Sequence, residues 1–76
     1  MMYDSRELKA ARVRQGKTQV DIAKALGITE VAYNRKENGR SLFSLVDIQK
    51  LAEAINLEDS QIISIFFNRK LNPNTR

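Results

Sequence analysis

Seventy-six residues are enough for one domain only, and a chain this short buries just ~60–65% of its unfolded surface, so its core must be modest and well packed. The lack of cysteine and histidine removes disulfide, zinc-finger and thiol chemistry and fits a reducing cytoplasm. The apolar runs are too short to span a membrane, and no N-terminal stretch has the apolar core of a signal peptide, so a soluble intracellular protein is expected. The net charge of +4 is unevenly spread: residues 1–40 carry +4 and residues 41–66 carry −3, with Arg69, Lys70 and Arg76 beyond. A basic N-terminal part is what counterion release from phosphates requires, although a solvated charged face would look the same.

In chain order, Asp4 with Glu7 three residues on has the pattern of a capping box, which predicts a first helix from about Ser5 to Gln15 stopped by Gly16. Leu8, Ala11 and Val13 are its candidates for the inward face. Thr18 and Asp21 repeat the capping pattern, and Ile22, Ala23 and Leu26 then share one face of a second helix. Gly27 follows at once, and glycine takes a left-handed backbone without a Cβ penalty, so the chain can turn sharply there. Thr29 caps a third helix. At about 100° per residue this helix puts Thr29, Tyr33, Lys36 and Glu37 on one side and Val31, Asn34, Arg35 and Asn38 on the other, with Glu30 at the boundary. A short helix presenting an amide, a guanidinium and a small apolar group, braced by a preceding helix, suits the major groove of DNA.

Asn38-Gly39 is a helix stop, and Arg40 to Phe43 is the next loop, with Phe43 read as a core anchor. Ser44 and Asp47 form a third capping pattern, and Leu45, Ile48, Leu51, Ala52 and Ile55 follow at helical spacing, which predicts a fourth helix used for packing. Leu57 plugs the loop after it, and Asp59 or Ser60 caps a fifth helix. Gln61 to Phe67 has the β-branched and aromatic content of a strand, yet Ile62, Ile65 and Phe66 share one helical face. A short helix is the favoured reading, with the last residues extended as the alternative. Residues 68–76, with Pro73 and no apolar periodicity, read as a flexible basic tail after a domain spanning 1–67.

The run T-Q-x-x-I-A-x-x-L-G-I-T-x-x-x-Y-x-R-K-E-N-G, from Thr18 to Gly39, resembles the helix-turn-helix of Cro and lambda-repressor-type regulators of bacteria and phages. Ala23, Gly27 and Glu37-Asn38-Gly39 carry the match, and the similarity extends from about Arg6 to Phe67. It implies an all-α, compact five-helix lambda-repressor-like domain with the helix-turn-helix at the second and third helices. It also implies an ion pair between Arg12 and Glu37, because an inward carboxylate needs a partner; the alternative leaves both at the surface. The segment E-N-G-R-S-L-F-S-L and the later I-F-F are similar to regulators of Gram-positive phages in particular. Two residues depart from the family pattern. Tyr33 stands where a smaller aliphatic is usual and needs a partner or water for its hydroxyl. Lys36 replaces an apolar residue and is expected to lay its stem on the core and send its ammonium outward.

The functional expectation is a sequence-specific regulator of the Cro-like repressor kind, inserting the helix Glu30-Asn38 into the major groove of double-stranded operator DNA. Glu30, Val31, Asn34 and Arg35 are the base-reading candidates: an acceptor for cytosine N4, a methyl contact for thymine, an amide fork for adenine and a guanidinium fork for guanine. Lys17, Thr18, Gln19, Asn38 and Arg40 are the phosphate candidates, since Thr18 and Gln19 sit at a helix N-terminus and Asn38 and Arg40 flank the next loop. Ile63 and Phe67, an outward i,i+4 pair if the last segment is helical, are either tolerated exposure or the contact of a homodimer that forms off DNA or only on it. No nucleophile–base pair, phosphate-cradling loop, cofactor, metal or small-molecule site is recognisable, and enzyme and membrane roles are set aside. The expected setting is the cytoplasm of a bacterial cell or phage-infected host, in association with the nucleoid. The competing reading is a protein-binding adaptor of the same fold, an antitoxin or antirepressor.

Overall fold

The computed structural model describes residues 3–67, so the basic tail assigned to 68–76 lies outside the described residues. Helices α1 (Ser5–Arg14), α2 (Gln19–Leu26), α3 (Glu30–Glu37), α4 (Leu45–Ala54) and α5 (Asp59–Ile62) follow one another. The last runs directly into a π-helical turn, Ile63–Phe67, and there is no strand among the described residues. The five-helix, all-α architecture expected from the sequence is therefore the one observed.

The helix starts are fixed by side chains. Thr18 Oγ1 accepts from the Asp21 N–H at 3.1 Å while the Asp21 carboxylate accepts from the Thr18 N–H at 2.9 Å. Ser44 and Asp47 exchange the same two bonds at 3.0 and 3.1 Å. At α1 only half of the box is made: Asp4 accepts from the Glu7 N–H at 3.0 Å, but its own N–H donates to the Ile65 carbonyl at 2.8 Å. That bond ties the start of the domain to its last turn. The fifth helix is capped by Glu58 rather than by Asp59 or Ser60. Glu58 has extended backbone angles, and the Gln61 side chain reaches back to accept from its N–H at 2.9 Å.

The helix ends share one device. After α1, α2, α3 and α4 the chain enters a positive-φ residue, Gly16, Gly27, Gly39 or Asn56, and the next N–H reaches back over the last turn. Those closing bonds run from Lys17 to Arg12, Ile28 to Ala23, Arg40 to Arg35 and Leu57 to Ala52, at 2.8–3.2 Å. They satisfy carbonyls the helix would otherwise leave bare. Gly27, at φ 74°, is required by this backbone and not by crowding, because an added Cβ would meet nothing within 4 Å.

The core is formed by Leu8 and Ala11 of α1, Ile22, Ala23 and Leu26 of α2, Tyr33 of α3, Leu51 and Ile55 around α4, and Ile65 and Phe66 of the terminal turn. The expected inward face of α1 needs one correction: Val13 is 58% exposed, and Arg12 is buried in its place. At about 100° per residue, Arg12 falls one turn beyond Leu8 on the same side, whereas Val13 has rotated away. The packing stripe of α4 also starts later than expected. Leu45 is 77% exposed, and burial begins at Ile48 and completes at Leu51.

Phe43 anchors the loop before α4. Its ring lies 5.3 Å from Tyr3, 5.5 Å from Phe66 and 6.3 Å from Tyr33 between centroids, in edge-on arrangements. Such contacts are favourable beyond the area they bury. The helical face read in the last segment holds even though the backbone widens into a π turn: Ile65 and Phe66 are buried and Ile63 and Phe67 are exposed.

Candidate nucleic-acid interface

The α2–turn–α3 unit holds α3 by one side. Tyr33 and Glu37, one turn apart, are fully buried, and Ala32 and Lys36 are half-buried at the edges. Glu30, Val31, Asn34, Arg35 and Asn38 are all exposed, with Val31 at 67%. Thr29 differs from expectation. It is exposed, because its hydroxyl is engaged at the helix start, accepting from the Ala32 N–H at 3.1 Å.

Behind α3, the Arg12 guanidinium meets the Glu37 carboxylate with two bonds, Nε to Oε1 at 2.7 Å and Nη2 to Oε2 at 3.1 Å. Its Nη1 donates to the Lys17 carbonyl at 2.7 Å. Gln19 Nε2 donates to Glu37 Oε2 at 3.0 Å, and Gln19 Oε1 accepts from Asn34 Nδ2 at 3.1 Å. One chain of hydrogen bonds thus runs from α1 through the core to the exposed face of α3. Burial alone would raise the Glu37 carboxyl, but the hydrogen bonds from Arg12 and Gln19 outweigh it and hold the group below the ordinary glutamate value. The bond to Glu37 raises Arg12 in turn, against the opposing effect of burial.

Tyr33 lies beside this pair. Its hydroxyl is near enough to feel both charges but reaches hydrogen-bond geometry with no protein atom among the described residues. Burial, followed by the neighbouring carboxylate, pushes its phenol far above the ordinary tyrosine value. Of the two expectations for this hydroxyl, a partner or water, no protein group in hydrogen-bond geometry supplies the first among the described residues. Lys36 is a second difference. Its ammonium does not leave for solvent but donates to the Leu42 carbonyl at 2.8 Å, 3.4 Å from Asp47 Oδ2 and 5.7 Å from the centre of the Phe43 ring. A carbonyl and an aromatic face in the loop that follows α3, with a carboxylate from the first turn of α4, outcompete water for it.

The remaining candidates are placed as follows. Lys17, Thr18, Arg35 and Arg40 are exposed, and none of the three cations belongs to the three ion pairs among the described residues, Arg12–Glu37, Arg14–Glu7 and Lys36–Asp47. The Thr18 hydroxyl accepts from Asp21 and keeps its own proton to donate. Gln19 is half-buried with its side-chain amide committed to Glu37 and Asn34, which leaves its backbone N–H at the start of α2 for an anion. Asn38 turns its amide back onto the Asn34 carbonyl at 3.0 Å. Ile63 and Phe67 are exposed, and Phe67 lines a shallow groove with Leu45, Ile48, Ala52, Leu57 and Ile62.

One residue of the unit was not foreseen. The Tyr3 hydroxyl sits between the carbonyls of Lys36 and Ser41, the latter at 2.7 Å, and so holds the end of α3 to the following loop. A signal existed: an aromatic side chain immediately before the cap at Asp4 is at the position of a hydrophobic staple. No helix among the described residues is long and apolar enough to cross a membrane.

A family model described as Helix-turn-helix, HTH_3, matches residues 8–62. The chain belongs to this Cro/C1-like family, and with it to the DNA-binding transcriptional regulators. Among solved structures it is similar to the restriction-modification controller protein C.AhdI from Aeromonas hydrophila. The identity is 29% and the TM-score 0.68, over 76% of this chain and 88% of that one. It is also similar to the SOS-response transcriptional repressor LexA from Eubacterium rectale, with 28% identity and a TM-score of 0.67 over 95% of this chain and 73% of that one. Among curated proteins no sequence match is found.

Proposed function

We propose that the protein is a Cro-like repressor that inserts α3 into the major groove of an operator, as in regulators of phages or mobile elements. The carrying observation is the two-sided character of α3: Val31, Asn34 and Arg35 stand exposed while Tyr33 and Glu37 behind them are fully buried. In this reading Val31, Asn34 and Arg35, with Glu30 at the edge, read bases, since their groups match thymine methyl, adenine, guanine and cytosine edges respectively. Lys17, Thr18, the Gln19 backbone, Asn38 and Arg40 hold phosphates on either side. The similarity to a restriction-modification controller and to an SOS-response repressor supports a regulatory role over a catalytic one. A homodimer through Ile63 and Phe67 completes the reading, because a single recognition helix covers too few base pairs for useful specificity.

Selection of bound duplexes from a random DNA pool tests this. A recovered motif is expected, and Arg35→Ala should relax one base position within it at a cost of ~1–3 kcal/mol. Recovery of no motif above the random background would reject the function, and an unchanged motif in the variant would remove Arg35 from the reading set.

A further inference from the structure

The hydrogen bonds around Gln19 have a direction, and the chemistry of the partners fixes it. An ionised carboxylate can only accept, so the Gln19 group 3.0 Å from Glu37 Oε2 must be its NH2. The amide oxygen of Gln19 is then the atom turned toward α3, and an oxygen cannot donate. Asn34 must therefore present its own NH2 to Gln19, across the observed 3.1 Å. Glu37 cannot rotate to relax this order, because its two oxygens are held by Arg12 at 2.7 and 3.1 Å. The remaining amide bond to α3 comes from Asn38, which donates to the Asn34 carbonyl and leaves the Asn34 side chain free of it.

One N–H of Asn34 is thus committed to Gln19 at the protein surface. What it has left for a ligand is one N–H and one carbonyl oxygen. In the major groove adenine offers an acceptor at N7 beside a donor at N6, which complements that remainder, whereas guanine offers two acceptors and calls for two donors. We infer that Gln19 is a specificity-positioning residue, fixing the amide of Asn34 so that it selects adenine over guanine at one base pair of the operator. The inference rests on the proposed base-reading role of Asn34 and adds to it the element that decides which base is read. Gln19 acts here through its side chain, while its backbone N–H at the start of α2 keeps the proposed phosphate role.

The experiment uses the full chain and a duplex recovered by selection, together with its single-base variants. Asn34→Ala first locates the base pair that Asn34 reads. At that pair the parent protein should prefer adenine over guanine by ~10-fold or more, and Gln19→Met should reduce the ratio to ~2–3-fold while ratios at other positions stay as they were. If Gln19→Met instead weakens binding to every duplex by one common factor, with the adenine-to-guanine ratio intact, the inference is overturned and Gln19 is a phosphate or packing residue only. If Asn34→Ala changes no base preference, the base-reading role of Asn34 itself fails, and this outcome is distinct from the preceding one. A second readout needs no DNA: the side-chain NH2 resonances of Asn34 in the 15N spectrum should shift in Gln19→Met. Identical resonances in the two proteins would overturn the relay.

Discussion

Arg12 and Glu37, 25 positions apart in the chain, close a two-bond ion pair beneath α3, and Glu37 is 1% exposed. An uncompensated charge at that depth is costly, so the pair acts as a clamp that fixes how α3 sits on α1. Arg12→Ala should lower stability by ~3–5 kcal/mol, because it leaves the carboxylate buried without its partner. Replacing both residues by methionine should recover most of the loss, since apolar pairs of similar volume substitute well for buried ion pairs. Urea denaturation measures both, and a single variant within ~1 kcal/mol of the parent would sink the clamp.

The same carboxylate sets an acid limit. Glu37 is held below its ordinary value by Arg12 and Gln19 despite burial. Asp47 is also lowered: burial raises it, but the Ser44 backbone N–H and Lys36 outweigh that. A depressed folded value means that the unfolded chain binds protons first, so these groups stabilise the fold above the unfolded carboxyl values of about 4 and cease to do so as pH falls through the folded ones. With no histidine in the chain, thermal stability should be level between about pH 5.5 and 8 and fall below about pH 4. Glu37→Gln should be less stable throughout and lose less on acidification; an acid limb as steep as the parent's would place the linkage elsewhere.

Tyr33 is fully buried with a hydroxyl that finds no protein partner. Leaving a polar group buried and unpaired costs ~1–3 kcal/mol. Tyr33→Phe keeps the ring against Phe43 and removes the cost, so it should stabilise the domain by ~1 kcal/mol. A loss of that size in the denaturation midpoint would mean that the hydroxyl is satisfied, by water or by Glu37, in solution.

What the sequence made legible were the features that depend on local chemistry. Thr18 with Asp21, Ser44 with Asp47, and Gly27 each act over three or four residues, so composition and spacing were enough to place them. Outward and inward faces of α3 followed from its period for the same reason. The misses were decided by distant partners. The helical period already turns Arg12 inward and Val13 out, but a guanidinium could keep that place only because Glu37 compensates it from 25 residues away, and Asp4 gave its N–H to Ile65 across the fold. Lys36 was drawn to Leu42 and Asp47 by a loop whose path no period reveals. The bond between Gln19 and Asn34 is likewise long-range, and it engages the side chain of a residue whose position at a helix N-terminus had pointed to phosphate alone.

Arg40 tests the phosphate set. It is exposed just beyond α3, and its closing backbone bond to Arg35 fixes where its side chain leaves the loop. A phosphate contact carries no base information but releases a counterion, so Arg40→Gln should weaken all duplexes alike and reduce the slope of log affinity against log salt by ~0.9. Titrations at several salt concentrations on operator and unrelated DNA measure this, and an effect confined to one operator variant would contradict it.

Assembly is the remaining consequence. Ile63 and Phe67 are 58% and 51% exposed on the terminal turn, and Leu45 at 77% lines the same groove as Phe67. Two large exposed apolar side chains on one groove, with Ile63 four residues before Phe67 on the same turn, are either tolerated exposure or half of a self-complementary contact. A two-fold contact there would set the two α3 helices ~34–36 Å apart and require an operator of inverted half-sites one helical turn apart. Since the patch is small, the duplex itself can supply the extra free energy that brings two chains together. Sedimentation with and without a palindromic duplex should show two chains per operator at saturation, and Phe67→Ala should weaken binding of the second chain more than the first. One chain per operator at saturation would rule the dimer out.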